Sequence, residues 1–197
     1  RYLPAAELSK IKSTTASNPQ CEYARKLFLF SYYCYGISFI DMAMLTAAHI
    51  KQMEDGDYIV YKRQKIKRQK GVKPISIKIT PAIRQLIGSL QAGSPTVDDF
   101  LLPIVTRSGY TGERLYMHIR TRYSKYQKYL RLLAEELGID FHLTSYVSRH
   151  TAAMTLQRNH IPREVISQML GHADLETTNI YLDSFDNKVI NEAAKVL

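Results

Sequence analysis

Two strand-like runs enclose the most basic stretch of this chain, and they limit its β-structure to one small element. Residues 57–61 are rich in β-branched and aromatic side chains, and residues 75–79 alternate isoleucine with polar or basic residues. Such runs on either side of a Gly71-containing connection predict an antiparallel hairpin. The connection contains no acidic residue, and its basic side chains are Lys62, Arg63, Lys65, Lys67, Arg68 and Lys70. The hairpin tip therefore carries charge, either to contact a polyanion or to protect a sheet edge.

Outside this hairpin, the apolar residues recur with helical spacing. The pattern predicts an α+β, mostly α-helical domain with a small antiparallel β-sheet. Thr80 and Pro81 form an N-cap followed by proline at the first helical position, and Gly138 and Gly171 are typical of helix ends. We expect a loop over residues 91–100. The predicted helices cover residues 4–13, 21–35, 38–47, 81–90, 114–137, 145–159, 162–171, 174–181 and 186–196.

The long predicted helix over residues 114–137 interleaves basic residues with tyrosines. Its apolar residues share one face, which we expect to contact the core. The basic face is either a solvated surface or a line of contacts to nucleic-acid phosphates, which set affinity without reading sequence. The candidate DNA-binding residues are Lys62, Lys67, Arg68 and Lys70 in the hairpin and Arg120, Arg122 and Lys125 in this helix.

The charge balance favours a polyanionic partner. The chain has 27 Lys and Arg against 18 Asp and Glu, a net charge of +9. Nucleic acid is the commonest ligand of such an excess. The chain's hydrophobic content of 45% is typical of a folded domain rather than a disordered one. No apolar run in it is long enough to span a bilayer. Two cysteines are too few for a disulfide framework, which favours a reducing compartment.

Three separated motifs carry the functional prediction. Arg149 and His150 lie inside a predicted helix, His172 follows the helix-ending Gly171, and Tyr181 lies nine positions after His172. In this order and spacing the motifs resemble the catalytic domain of the tyrosine recombinases, the integrases of phages and conjugative transposons. The resemblance covers essentially the whole chain. It implies a mostly helical bundle with a small basic sheet.

The resemblance also implies where such a domain acts and with what. Residues 1–197 would form the single C-terminal catalytic domain, with the N-terminal core-binding domain of the family absent from this chain. The expected partner is double-stranded DNA in the bacterial cytoplasm, with no membrane association. Four subunits would assemble in synapsis, with the C-terminal helix reaching a neighbouring protomer, whereas the isolated domain would be a monomer without DNA.

Carried over by position, the resemblance assigns the catalytic roles. Tyr181 would attack the scissile phosphodiester and form a 3′-phosphotyrosyl link with a free 5′-hydroxyl. Arg149 would bind two phosphate oxygens, His172 would donate a hydrogen bond to the same phosphate, and Lys65 would protonate the leaving 5′-oxygen. Protein cations would fill the role of a metal ion, and the histidines show no metal-ligand spacing, so we expect no metal and no cofactor.

Two positions depart from the family pattern. The box that normally contains the first catalytic arginine reads Gly-Ile-Ser-Phe-Ile-Asp over residues 36–41, with Ser38 in the arginine position. We expect Arg63 to compensate, because a strand period of two would place Arg63 and Lys65 on one face of the hairpin. The His-x-x-Arg element has Tyr146 in the histidine position. Its hydroxyl can donate a hydrogen bond to phosphate but cannot become cationic.

These departures leave three functions open. The first is DNA strand exchange for integration or excision of a mobile element. The second is a type IB topoisomerase-like relaxation with the same chemistry, and the third is a catalytically impaired DNA-binding relative. We expect His150 to point away from the site, as a core histidine or a support for its neighbours.

Overall fold

The computed structural model describes residues 2–67 and 72–171, and it contains the mostly helical domain that the sequence predicts. The helices are α1 (Ala5–Ser13), α2 (Pro19–Tyr33), α3 (Phe39–Ala43), α4 (Pro81–Gly93), α5 (Gly112–Glu136), α6 (Ser145–Arg158) and α7 (Arg163–Leu170), with a 3₁₀ turn at Ala47–His49. The strands are β1 (Ile50–Met53), β2 (Gly56–Tyr61) and β3 (Ile75–Lys78). The two helices expected over residues 174–196 lie outside the described residues.

The three strands form one antiparallel sheet in the order β1-β2-β3. The predicted hairpin is confirmed, because β2 pairs with β3 in a register that places Ile59 opposite Ile77 and Tyr61 opposite Ile75. The edge strand β1 is an addition to the prediction. Three of its four residues are exposed, and its two polar residues are adjacent, so it lacks the alternation that marks a half-buried strand.

Helix α2 is the central element of the core. Its Leu27, Phe28 and Phe30 side chains are completely buried, and it contacts α4, α5 and α6. Asn18 caps its first turn by accepting from two backbone N–H groups. The helix therefore starts two residues earlier than the apolar periodicity indicates.

Helices α3 and α4 differ in length from the prediction. Helix α3 stops at Ala43 because the chain then pairs with a distant loop, through a bridge between Thr46 and Phe100 and a hydrogen bond from Leu101 N to Leu45 O. Helix α4 continues to Gly93, so part of the expected loop over residues 91–100 is helical. In α3, tertiary pairing overrides the local helical pattern. Helix α4 is longer than expected because no residue before Gly93 ends it.

The turn after α2 brings the backbone of Gly36 against α6. Gly36 has a φ of +72°, and a Cβ atom built on it would lie 2.5 Å from the Arg149 Cα. Both the conformation and the space demand glycine. This contact fixes where α6, and with it Arg149, sits relative to the turn.

Replacing Gly36 with alanine should therefore destabilise the domain. We expect Gly36→Ala to lower the free energy of unfolding by roughly 2–4 kcal/mol, through left-handed strain and the clash with α6. Urea denaturation measures the change. Gly88→Ala in α4 is the matched control, since nothing lies within 4 Å of its Cβ position and it should be neutral or stabilising. Equal effects of the two substitutions would contradict this account of the turn.

Candidate active site

Arg149 is buried and bonded to the backbone of two other segments. Its side chain comes from the second turn of α6, and the residue is 5% exposed. One guanidinium nitrogen donates to Gly36 O at 3.0 Å and another donates to Leu170 O at 2.6 Å. Burial and the charge of Arg63 lower the pKa of Arg149 to about 10, so the guanidinium is still protonated at neutral pH. These two carbonyls hold the guanidinium of Arg149 in place.

Ser38, in the position of the family's first arginine, has a structural task. It is the N-cap of α3, and its hydroxyl donates to a carboxylate oxygen of Asp41 at 2.6 Å. The other carboxylate oxygen of Asp41 accepts the backbone N–H of Gln64 at 2.6 Å. Asp41 is 3% exposed, so its charge lies inside the domain. The serine box is thereby tied to the hairpin connection that carries Arg63 and Lys65.

The structure brings Arg63 to the end of α7. Its Nη1 donates to Gly171 O at 3.1 Å, while its buried Nε–H finds no acceptor in the described part of the chain. Gly171 ends α7 in the left-handed conformation, and a Cβ there would lie 2.4 Å from Ile75 Cδ1. Arg63 and Arg149 therefore bind the two carbonyls that immediately precede His172 in the sequence.

The expectation that Arg63 and Lys65 lie on one face of a β-strand was wrong. Strand β2 ends at Tyr61, and residues 64–67 form a turn, with a hydrogen bond from Ile66 N to Arg63 O. The strand period of two does not apply there. Arg63 is half-buried against Gly171, whereas Lys65 is exposed to solvent with Lys62 and Lys67. Arg68 and Lys70 lie outside the described residues.

Tyr146 lies one turn before Arg149, and both residues line one cavity. It is 53% exposed, and partial burial raises the pKa of its phenol while the charges of Arg149 and Arg63 oppose the rise. At neutral pH its hydroxyl is therefore protonated and can donate a hydrogen bond. His150 does not line this cavity, and its ring meets the Tyr146 ring edge-on with centroids 4.8 Å apart, in keeping with the expected role of supporting its neighbours.

A cavity of about 420 Å³ lies where the serine box, the hairpin connection, α5 and α6 meet. Arg63, Arg120 and Arg149 line it from three different segments, and no Asp or Glu of the described residues is in its lining. An anion in the cavity would therefore meet guanidinium groups, with no competing carboxylate from this part of the chain. The other lining residues are Gly36, Ile37, Ser38, Phe39, Ile40, Tyr116, Ile119, Tyr123, Ser145 and Tyr146.

Helix α5 separates its basic residues onto two flanks. Arg120 faces the cavity, whereas Arg122 donates to Ile104 O and lies over the Tyr23 ring. Burial, followed by the charges of Arg122, Arg107 and Lys125, lowers the pKa of His118 on the second flank. The candidate DNA-binding residues of α5 therefore do not form one surface. Arg122 also stabilises the fold through its hydrogen bond to Ile104 O.

Tyr181 and His172, the predicted nucleophile and phosphate donor, lie outside the described residues. Within residues 2–67 and 72–171, the structure brings Arg149, Arg63 and Tyr146 to one cavity and leaves Lys65 exposed at its own turn. Sequence reasoning missed the junction of Asp41 with Gln64. The spacing of Ser38 and Asp41, an N-cap with an acid three residues later, could have indicated the first half of that junction.

The described residues show neither a membrane-spanning helix nor a metal-binding group. No helix there is long and apolar enough to cross a bilayer. No cluster of His, Cys, Asp or Glu in the same ranges could hold a metal ion.

The fold is that of tyrosine recombinase catalytic domains, and comparison with known proteins identifies the family. The chain belongs to the phage integrase family, whose model matches residues 1–188. Among curated proteins, the tyrosine recombinase XerD of Brucella abortus biovar 1 (strain 9-941) is 29% identical over 129 residues, covering 62% of this chain and 38% of that protein.

Solved structures of recombinases share the fold. The Tn1549 transposon integrase in complex with transposon right end DNA has a TM-score of 0.69 at 11% identity, covering 100% of this chain and 66% of that one. The XerA recombinase has a TM-score of 0.65 at 21% identity, covering 99% of this chain and 64% of that one. The chain thus spans less than two thirds of each of these relatives.

The Asp41 junction predicts a local effect on the hairpin connection. Asp41→Asn keeps the shape but replaces a charged acceptor by a weaker neutral one, so the free energy of unfolding should fall by roughly 1–3 kcal/mol. Hydrogen exchange at the Gln64 amide should accelerate more than exchange in α2. Asp57→Asn, which removes only the outer ion pair with Arg84, should cost less than about 1 kcal/mol. Unchanged Gln64 exchange in Asp41→Asn would show that Asp41 does not hold the connection.

Proposed function

We propose that this chain is the catalytic domain of a site-specific DNA recombinase that integrates or excises a mobile element. The observation that carries the proposal is the cavity lined by Arg63, Arg120 and Arg149, to which residues 2–67 and 72–171 contribute no carboxylate. Such a site suits one backbone phosphate, whose charge increases as it is attacked. Membership of the phage integrase family supports the same reaction.

In the proposed reaction, Tyr181 is the nucleophile. Its phenol releases its proton to the surrounding water, its oxygen bonds to phosphorus, and the bond from phosphorus to the 5′-oxygen breaks. Lys65 supplies the proton that the leaving 5′-oxygen takes up, while Arg149 and His172 stabilise the phosphorane. The covalent link conserves the phosphodiester energy, so rejoining to a new partner needs no ATP or cofactor.

Arg63 is proposed to supply the charge that Ser38 lacks. The two residues line the same cavity, and Arg63 approaches it from the hairpin connection rather than from α3. Its buried Nε–H has no acceptor among the described residues, so it retains a donor that a phosphate oxygen could use after a small rotation. Ser38 meanwhile binds Asp41, an arrangement in which an arginine is not needed at position 38.

Double-stranded DNA is the proposed substrate and partner. Arg120 and the exposed Lys62 and Lys67 would contact its phosphates, with weaker contributions from Arg122 and Lys125. We propose a tetramer in synapsis and a monomer without DNA, acting in the bacterial cytoplasm where the DNA lies. A complete recombinase would require a core-binding domain in addition to this one.

A catalytically impaired DNA-binding relative is the second candidate, because Ser38 and Tyr146 each remove a cation from the family's usual set. It would bind DNA with the same salt dependence but form no covalent link. Adduct formation therefore distinguishes the two functions.

Tyr181→Phe tests the nucleophile directly. Incubation of the chain with random-sequence duplexes that contain 5′-bridging phosphorothiolates should give protein–DNA adducts that survive boiling in detergent. Tyr181→Phe should abolish them, since phenylalanine has no oxygen to bond to phosphorus. Tyr58→Phe, a change on β2 away from the cavity, should leave the yield unchanged. DNA retention without adducts in the unmodified chain would favour the impaired relative.

Exchanging the two positions tests the compensation by Arg63. Arg63→Ala should reduce adduct formation by roughly a hundredfold or more, as expected when one donor to the phosphorane is lost. Ser38→Arg combined with Arg63→Ala restores the net charge, and its adduct yield should be at least tenfold higher than that of Arg63→Ala alone. Lys62→Ala, which removes an exposed neighbouring cation, serves as the control and should change the yield only a few-fold. If Arg63→Ala retains activity within a few-fold, Arg63 is no substitute for the missing arginine.

A further inference from the structure

The cavity is larger and more apolar than a phosphate clamp requires. Its volume of about 420 Å³ falls within the range of roughly 300–1,000 Å³ that organic ligands occupy in proteins. The arginines line one part, and the remaining lining is dominated by Phe39, Ile119, Tyr116 and Tyr123. A charged phosphate gains nothing from these side chains, so they indicate a second chemical group beside it.

Two tyrosines of this apolar part are exposed, and hydrogen bonds hold one of them, Tyr123, in place. The Tyr123 hydroxyl accepts from Gln127 Nε2 at 2.9 Å and lies 3.1 Å from Ser145 Oγ, and yet the residue is 37% exposed. Tyr116 is 57% exposed about two helical turns earlier. Phe39 stacks below on the buried Tyr126 ring at 5.1 Å. Exposed rings with a fixed position are suited to stacking on another aromatic ring.

The positions of the charges indicate what carries that aromatic ring. Arg120 lies on α5 between Tyr116 and Tyr123 in sequence, and all three line the cavity with Arg63. An occupant must therefore combine a flat apolar group with an anion at short range. A nucleotide has this combination, because its phosphate and its base are separated by one sugar.

We propose that the cavity receives one nucleobase, unstacked from the DNA, next to the phosphate that the arginines bind. The proposal rests on the DNA-cleaving function argued above and identifies the substrate feature that fills the rest of the same site. The base stacks on Tyr116 or Tyr123 while its phosphate contacts Arg63 and Arg120. Stacking on an aromatic side chain is tolerant of sequence, so this contact adds affinity without choosing a base.

Two short probes separate the contribution of the base to binding affinity from that of the phosphate. The probes are a thymidine trinucleotide and the same trinucleotide with an abasic central sugar, titrated at low salt into the full chain. Affinities are read from the NMR shift of the Ile119 methyl groups, which lie in the cavity. The complete trinucleotide should bind at least about fivefold more tightly, the lower end of what base stacking on an aromatic residue contributes.

Variants then assign the difference to the tyrosines. Tyr116→Ala together with Tyr123→Ala should bring the affinity ratio of the two probes to near one, while leaving the affinity for the abasic probe within about twofold. Met117→Ala is the matched control, because Met117 is 49% exposed on the same helix but does not line the cavity. It should keep the full ratio.

Other results overturn the proposal. Equal binding of the two probes by the unmodified chain would show that no base enters, as would happen if residues 172–197 of this chain or an apolar side chain fill the space. Equal losses for both probes in the tyrosine variants would show a general structural effect. Neither result affects the adduct assay with Tyr181→Phe, so a failure here is distinct from a failure of the recombinase function.

Discussion

The burial of one guanidinium between two backbone carbonyls organises the catalytic half of this domain. Arg149 donates to Gly36 O and Leu170 O, which belong to the turn after α2 and to the end of α7. A buried charge without hydrogen bonds would be strongly destabilising, so these segments must close around Arg149 together. The close approach of Gly36 to the Arg149 backbone permits that closure. Folding and assembly of the site are therefore the same event for these residues.

The serine at position 38 is part of how this region is held together. Ser38 caps α3 and donates to Asp41. Asp41 in turn accepts from the Gln64 backbone, next to Arg63. The carboxylate therefore links the box to the hairpin connection through neutral groups. The polar groups of Ser38 and Asp41 satisfy one another, so the box is stable with serine at position 38.

Local patterns in the sequence predict most of the framework and little of the contacts at the site. The hairpin around residues 62–74, the long helix α5 and the caps at Thr80 and Gly171 follow from rules that act over a few residues. The direction of the Arg63 side chain does not follow from such rules, because β2 ends at Tyr61 and a tertiary contact with Gly171 orients the side chain. The early end of α3 and the edge strand β1 depend in the same way on pairing with distant backbone.

The partners of the buried Arg149 and the half-buried Arg63 decide how well the proposed site can bind an anion. A carboxylate bound directly to either guanidinium would compete with a phosphate, and truncating such a pair would be costly. Among the described residues, backbone carbonyls accept hydrogen bonds from both guanidiniums and orient them at the cavity. Burial, followed by repulsion from the charge of Arg63, lowers the pKa of Arg149. An anion bound at both guanidiniums would reduce that repulsion, which is how the proposed phosphate contact would stabilise this part of the domain.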